Sequence, residues 1–231
     1  MQVAPIASTR VSHLELLLTP YRAHAGAGVT DADELTELAG RTRDQSWDRP
    51  DAETNEDYLT QALDERGLAL FEHASVTFYI EDVTLALVAV LAQVPGIAVT
   101  AVSHPTADLS RLRPIVPALI DELEGIDWPT ADAIIAEHHF YSMESYERLE
   151  KIFVEQGFPP EHAREVARAV LPTCIDSPAL VTGSLRAWRV VVTDLGQPTA
   201  GLEEQEFASL VLGALRDVAP HGVRDLDEGL A

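Results

Sequence analysis

At 231 residues the chain lies near the upper size for one hydrophobic core. With 46 % hydrophobic and 23 % charged residues it has an ordinary globular make-up, which excludes wholesale disorder and a fibrous repeat. The charge is unusual: 38 acidic against 16 basic residues leave −22, a field that repels phosphate backbones and anionic lipid and sets nucleic-acid or membrane binding aside as the main role. Lys151 is the only lysine, a bias shared by GC-rich genomes and halophilic settings. Cys174 is the only cysteine, so neither an intrachain disulfide nor a cysteine metal site can form. Residues 1–10 lack the charged region and apolar stretch of a signal peptide, and the expectation is a single cytoplasmic domain spanning residues 1–231.

In chain order, residues 14–18 read as a first strand. Asp31 with Glu34 three residues on resembles a capping box, opening a helix that carries Leu35 and Leu38 to about Arg43. Residues 45–51, with Trp47 and Pro50, read as loop. Thr54 caps a second helix that Gly67 ends. Residues 72–80 alternate as a strand, with His73, Ser75, Thr77 and Tyr79 on one face and Ala74, Val76, Phe78 and Ile80 on the other. No Asp, Glu, Lys or Arg occurs from 83 to 107, but the strongly apolar part, 83–92, is short of the roughly 20 residues that span a bilayer. That run reads as a buried helix over 84–92 followed by a buried extended segment. Residues 108–128 are interrupted by prolines. Thr130 caps a long helix to about Gln156, and helices follow over 161–171, 184–193 and 203–218, with a short strand at 179–182. The acidic tail, 222–231, is expected to fray. The whole is α+β with helix in excess.

Spacing alone identifies little chemistry. Glu137, His138 and His139 share a helix, but adjacent side chains point about 100° apart, so no metal site is expected there. His73 on its strand face is read as a hydrogen-bonded histidine, and no Gly-rich phosphate loop or nucleophile elbow occurs.

Three segments, in order, resemble the flavin-dependent thymidylate synthase family: Leu38-Ala39-Gly40-Arg41 through Gln45-Ser46-Trp47; Phe71-Glu72-His73-Ala74-Ser75-Val76-Thr77-Phe78-Tyr79-Ile80; and Ala163-Arg164 on through Ala167-Arg168-Ala169-Val170-Leu171-Pro172 to Val181-Thr182-Gly183-Ser184-Leu185-Arg186-Ala187-Trp188-Arg189. The match covers roughly residues 35–195, with the long helix in the middle. The resemblance implies an α+β fold with a small antiparallel sheet and a long-helix layer, assembled as a tetramer with active sites where subunits meet. It further implies FAD, hydride from NADPH, and transfer of a methylene group from methylene-tetrahydrofolate to dUMP in nucleotide biosynthesis. Of the family's site positions, His73, Ser75, Ser103, Ser184 and Arg186 match cofactor-binding ones. Arg168 matches a substrate-binding arginine, and Arg189 lies near the same sites.

The departures are as specific as the matches. The family's central R-H-R falls on Gln93, Val94 and Pro95, with only the closing serine, Ser103, in place. Further family arginines fall at Leu85, Pro105 and Leu195, and the asparagine of the T-G-N segment is Ser184. A nucleotide monophosphate brings nearly two negative charges, and each contact pair near a surface gains about 4 kcal/mol before desolvation. Apolar replacements on a −22 chain therefore oppose dUMP and, through its pyrophosphate, FAD. Two expectations follow. One is a non-catalytic pseudoenzyme that pairs with itself or with a paralogous family subunit. The other is a flavin-dependent transferase or oxidoreductase acting on a different, non-phosphorylated small molecule, with Arg168 and Arg186 as anchors and His73 as a proton-transfer group. Unchanged dUMP methylation ranks below both.

Overall fold

The computed structural model describes residues 1–21, 28–47, 53–65, 67–103, 106–107, 109, 112–117, 119–120, 123 and 127–229. Its four strands are β1 (Gln2–Ser8), β2 (Ser75–Glu81), β3 (Ile97–Ala101) and β4 (Ala179–Ser184). They form one antiparallel sheet in the order β1-β2-β4-β3. The helices among the described residues are α1 (His13–Leu16), α2 (Asp31–Asp44), α3 (Asn55–Asp64), α4 (Leu85–Leu91), α5 (Asp127–Glu155), α6 (Pro160–Ala167), α7 (Leu185–Leu195) and α8 (Leu202–Val218). The α+β class with a long-helix layer is as expected. Where one domain is expected, the chain groups into two compact units: Met1–Gln2, Ile80–Ala92 and Val99–Leu180 in the first, and Val3–Tyr79, Gln93–Ala98 and Val181–Ala231 in the second. Among the described residues no helix is long and apolar enough to cross a membrane.

In the first unit Thr84 caps α4, its hydroxyl accepting from Leu87 N at 3.1 Å, and α4 buries Leu87, Val88 and Leu91. The helix start is held by Leu85 N donating to Ile175 O and Ala86 N to Thr173 O, at 3.1 and 3.3 Å. Helix α5 packs on α6 around Tyr146, Ala167 and Leu109, with Met143 and Leu149 at the edge. Arg164 on α6 bonds Glu150 on α5 at 2.9 Å.

In the second unit Thr30 caps α2 and Thr54 caps α3. The Thr54 hydroxyl accepts from Asp57 N while the Asp57 carboxylate accepts from Thr54 N, so two orphan donors are satisfied reciprocally. Strand β2 alternates as expected: Val76, Phe78 and Ile80 are buried. Trp188 of α7 is fully buried, edge-on to Phe78 at 4.8 Å, and its indole N–H donates to Val76 O at 3.0 Å. Phe71, Leu185, Phe207 and Leu215 complete this core.

Several expectations are corrected. Residues 14–18 are helix α1 and a turn, not a strand, because leucine is unbranched at Cβ and favours helix; the first strand is Gln2–Ser8. Thr30 rather than Asp31 caps α2. Helix α5 starts at Asp127, so Thr130 lies inside it. Helix α6 ends at Ala167 and tightens into a 3-10 turn, Arg168–Val170, ahead of Pro172. The segment after α4 is strand β3, but its residues alternate between half-buried and exposed, so it is not a buried run. Nor does the tail fray from 222: Gly222, Val223 and Leu226 are buried, and residues 224–229 make a 3-10 helix. Residues 48–51 of the expected loop, and Pro105, lie outside the described residues.

Candidate functional site

The candidate residues of the second unit gather at the N-terminus of α7. Ser184 is its N-cap: the hydroxyl accepts from Ala187 N at 3.2 Å and donates to the Glu72 carboxylate at 2.8 Å. Arg186, one residue into the helix, donates to the other Glu72 oxygen at 3.0 Å. Glu72 thus joins Ser184 to Arg186, and Glu72 and Arg186 are both about half exposed. The segment is fixed by Leu185 N donating to Ala74 O at 2.8 Å. Ser75, at the start of β2, is bound to Thr9, donating its N–H to the Thr9 hydroxyl at 2.8 Å and accepting from Thr9 N at 2.9 Å. His73 is exposed beside it.

The segment that carries Gln93, Val94 and Pro95 comes to the same place. It forms a turn in which Ile97 N donates to Val94 O at 3.2 Å, and it ends on Gly96 with φ of +83°, a left-handed conformation suited to glycine. A Cβ on Gly96 would sit 3.2 Å from the Ala187 Cβ of α7, and one on Gly183 would overlap the Ile97 side chain. Gly96 and Gly183 therefore let the turn, β3 and α7 approach closely. Leu195, at the far end of α7, is buried in the core.

Ser103 and Arg168 belong to the first unit. The Ser103 carbonyl accepts from Thr106 N and Ala107 N, closing a turn. Arg168 is half exposed, and its guanidinium lies 3.9 Å from Glu165, a loose i,i+3 pair. Leu85 opens α4.

Arg189 has a structural task. It is buried, donates to both Asp225 oxygens at 2.7 and 2.6 Å and to Gly222 O at 2.6 Å, and lies over the Phe71 ring. The same C-terminal segment meets a buried polar network. Asp33 accepts from His221 N and Gly222 N at 3.1 and 3.0 Å. Asn55 donates to Glu37 at 2.8 Å and to Asp33 O at 3.2 Å, which leaves its carbonyl to accept from His221 Nδ1 at 2.7 Å. Arg41 donates to Glu37 at 2.7 Å and to Glu53, and stacks over Tyr58. Burial pushes the Asp33 carboxyl above its ordinary value, against the backbone donors that favour its charge. Burial opposes the Arg41 charge, and its bonds to Glu37 and Glu53 outweigh that, so its pKa is raised. Sequence reasoning missed Glu72 and this network; the i,i+4 pair Glu37–Arg41 was the one available signal.

No metal ligand set is expected from the sequence, yet His13, Asp31 and Glu34 place one donor each within 4.8 Å of one another. The two imidazole nitrogens face different carboxylates, Nε2 at 3.5 Å from Asp31 and Nδ1 at 3.3 Å from Glu34, the arrangement of an ion-pair clamp between α1 and α2.

A polar cluster at a helix start, an adjoining glycine turn and a mixed α+β scaffold define a small-molecule enzyme fold. The sequence model of the thymidylate synthase complementing protein family, Thy1, matches residues 27–221, and the chain belongs to that family. It is 40 % identical over 200 residues to a probable flavin-dependent thymidylate synthase of Mycobacterium phage D29, covering 86 % of this chain and 85 % of that one. It is 36 % identical over 208 residues to a probable flavin-dependent thymidylate synthase of Mycobacterium phage L5, covering 87 % and 83 %. It is 32 % identical over 206 residues to the flavin-dependent thymidylate synthase of Mycobacterium avium, covering 86 % and 82 %.

Proposed function

We propose that this chain is a family member that has given up dUMP methylation and serves as a non-catalytic subunit, pairing with a family chain. The observation behind the reading is the turn that leads to Gly96. Where the resemblance places two arginines and a histidine, the chain has Gln93, Val94 and Pro95, and none carries charge. Beside it the cation of the cluster, Arg186, already faces Glu72. A half-exposed pair of this kind adds at most about 1 kcal/mol to stability, but an incoming anion must compete with it. A phosphate dianion deprived of several contact pairs loses more affinity than a micromolar ligand has, about 8 kcal/mol in total. The pyrophosphate of FAD meets the same donor set of hydroxyls and one engaged guanidinium, so these residues fit a flavin dinucleotide poorly. What remains, the Ser184 cap, the Trp188 bond and the glycine contacts, maintains the scaffold and the surfaces on which another subunit docks.

A second reading keeps flavin and changes the acceptor to one without phosphate. Arg168, half exposed and only loosely paired, and the exposed His73 favour it. An absorbance scan and calorimetric titration with FAD and dUMP separate the readings. The first predicts a colourless protein, no saturable uptake of either ligand, and no rescue of a thymidine-requiring strain. Flavin bands without dUMP binding favour the second. dUMP seated beside a bound isoalloxazine in copies of this chain alone would overturn both. Co-purification of a second family chain from the native source tests the subunit role, and its absence counts against it.

A further inference from the structure

Helix α1 is four residues long and buries none of them. Such a helix cannot hold itself in water, because nucleation fixes several residues for one hydrogen bond. Its leucines nevertheless point outward: Leu14 is 74 %, Leu17 66 % and Leu18 81 % exposed. Beside them lies a cleft of about 250 Å³ lined by Val11, Leu16, Leu35 and Leu38 with Arg10 and Glu15 at its polar rim. An apolar cavity of about 150 Å³ accepts a benzene molecule, so this one has room for a leucine side chain. Knob and hole therefore occur on one patch of the second unit, the requirement for a contact in which each of two molecules fills the other.

Charge selects the occupant. Residues 1–30 hold one acidic residue, Glu15, and two arginines, Arg10 and Arg22, for a net +1, while residues 31–231 carry −23. Across most of its surface the chain repels a copy of itself, whereas this segment does not. The edge position of β1 suggests strand pairing, but Pro5 takes a donor out of that strand, which favours side-chain packing over strand addition.

We infer that α1 and the adjacent cleft form a two-fold contact between two copies of this chain, with Leu14, Leu17 and Leu18 of each seated against the Val11–Leu16–Leu35–Leu38 cleft of the other. This goes beyond the function proposed above and does not depend on it, since its readout is mass rather than ligand binding. The test is sedimentation equilibrium of the full chain from micromolar to 100 µM protein, at low and at 0.5 M salt. The wild type sediments at an even multiple of 25.1 kDa. Leu14→Glu/Leu17→Glu halves that mass or raises the dissociation constant more than tenfold, and Leu18→Glu, at a site too exposed to affect folding, weakens it in the same direction. Both variants keep the wild-type circular dichroism. Salt leaves the contact intact or tightens it, because screening removes the repulsion between two anionic chains. A monomer at every concentration, a mass indifferent to the leucine substitutions, or dissociation by salt overturns the inference.

Discussion

Asp225→Ala removes one side of the latch that holds the C-terminal segment. Arg189 is buried and gives two bonds to Asp225 and one to Gly222 O, so the variant leaves a guanidinium with one acceptor in place of three. Breaking a fully buried pair from one side costs about 3–5 kcal/mol. Asp225 is 44 % exposed and water can reach part of the vacated space, so the expected loss is nearer 2 kcal/mol. For a chain of this size each kcal/mol moves the midpoint by about 2–4 °C, giving a fall of about 4–8 °C. Calorimetry reads the midpoint, and amide exchange at Gly222, Val223 and Leu226 reads the latch directly. Those amides should exchange faster in the variant, while those of β2 follow only the global change. Arg189→Met/Asp225→Ala, which removes the unpaired charge, should recover part of the loss. A midpoint within 1 °C of wild type, with unchanged exchange over 222–226, would show that the buried charge is not what fastens this segment.

Two further predictions concern the network beneath that latch. Asn55→Ala withdraws a donor from the fully buried Glu37 and an acceptor from His221; bonds to charged groups are worth about 1.5–3 kcal/mol, so a midpoint drop of several degrees by circular dichroism is expected, and no drop would refute it. Asp33 has a folded pKa raised above 3.8, chiefly by burial, so the folded state holds the proton longer than the unfolded chain. No penalty exists below pH 3.8, and stability falls as pH rises from there through the raised value. Asp33→Asn cannot titrate; the wild-type midpoint should therefore decline relative to the variant as pH increases through that window, and the opposite slope in parallel melts would refute the assignment.

The core was legible because periodicity reports burial. The alternation at Ala74, Val76, Phe78 and Ile80, and the helical spacing through Trp188, Val191 and Val192, appear in the structure as buried faces. Caps were legible where a side chain answers a backbone donor locally, as at Thr54 and Ser184. Polar partners far apart in sequence were not. Asp33 meets His221 across 188 residues and Glu72 meets Arg186 across 114, and nothing in a local window couples them. The tail was misread for the same reason: its acidic composition suggested solvent, but a single distant cation, Arg189, binds it down. The site positions were located by resemblance. Their chemistry became readable only once Gly96 was seen against Ala187 and Glu72 against Arg186.

The substitutions at the site fall into two physical kinds, and the difference decides whether the loss can be reversed. Gln93, Val94 and Pro95 occupy a turn whose geometry is set by backbone and by Gly96, so charge can leave or return there at little cost to the fold. Leu195 is different. It is 7 % exposed on the last turn of α7 and packs with the core, so Leu195→Arg must lose apolar burial and place a guanidinium there. The helix C-terminus favours a cation by up to about 1 kcal/mol, and the long side chain can reach toward solvent. Against that stand lost leucine burial of about 2 kcal/mol and incomplete solvation of the new charge, for a net loss of roughly 2–3 kcal/mol. Thermal melts of Leu195→Arg, alone and with Gln93→Arg/Val94→His/Pro95→Arg, separate the two kinds: the turn triple is expected to melt near wild type, and Leu195→Arg some 5–10 °C lower. If the fourfold variant instead folded as well as wild type and took up dUMP with micromolar affinity, the core position would be an idle remnant of the site, and the scaffold would be one step from a working enzyme.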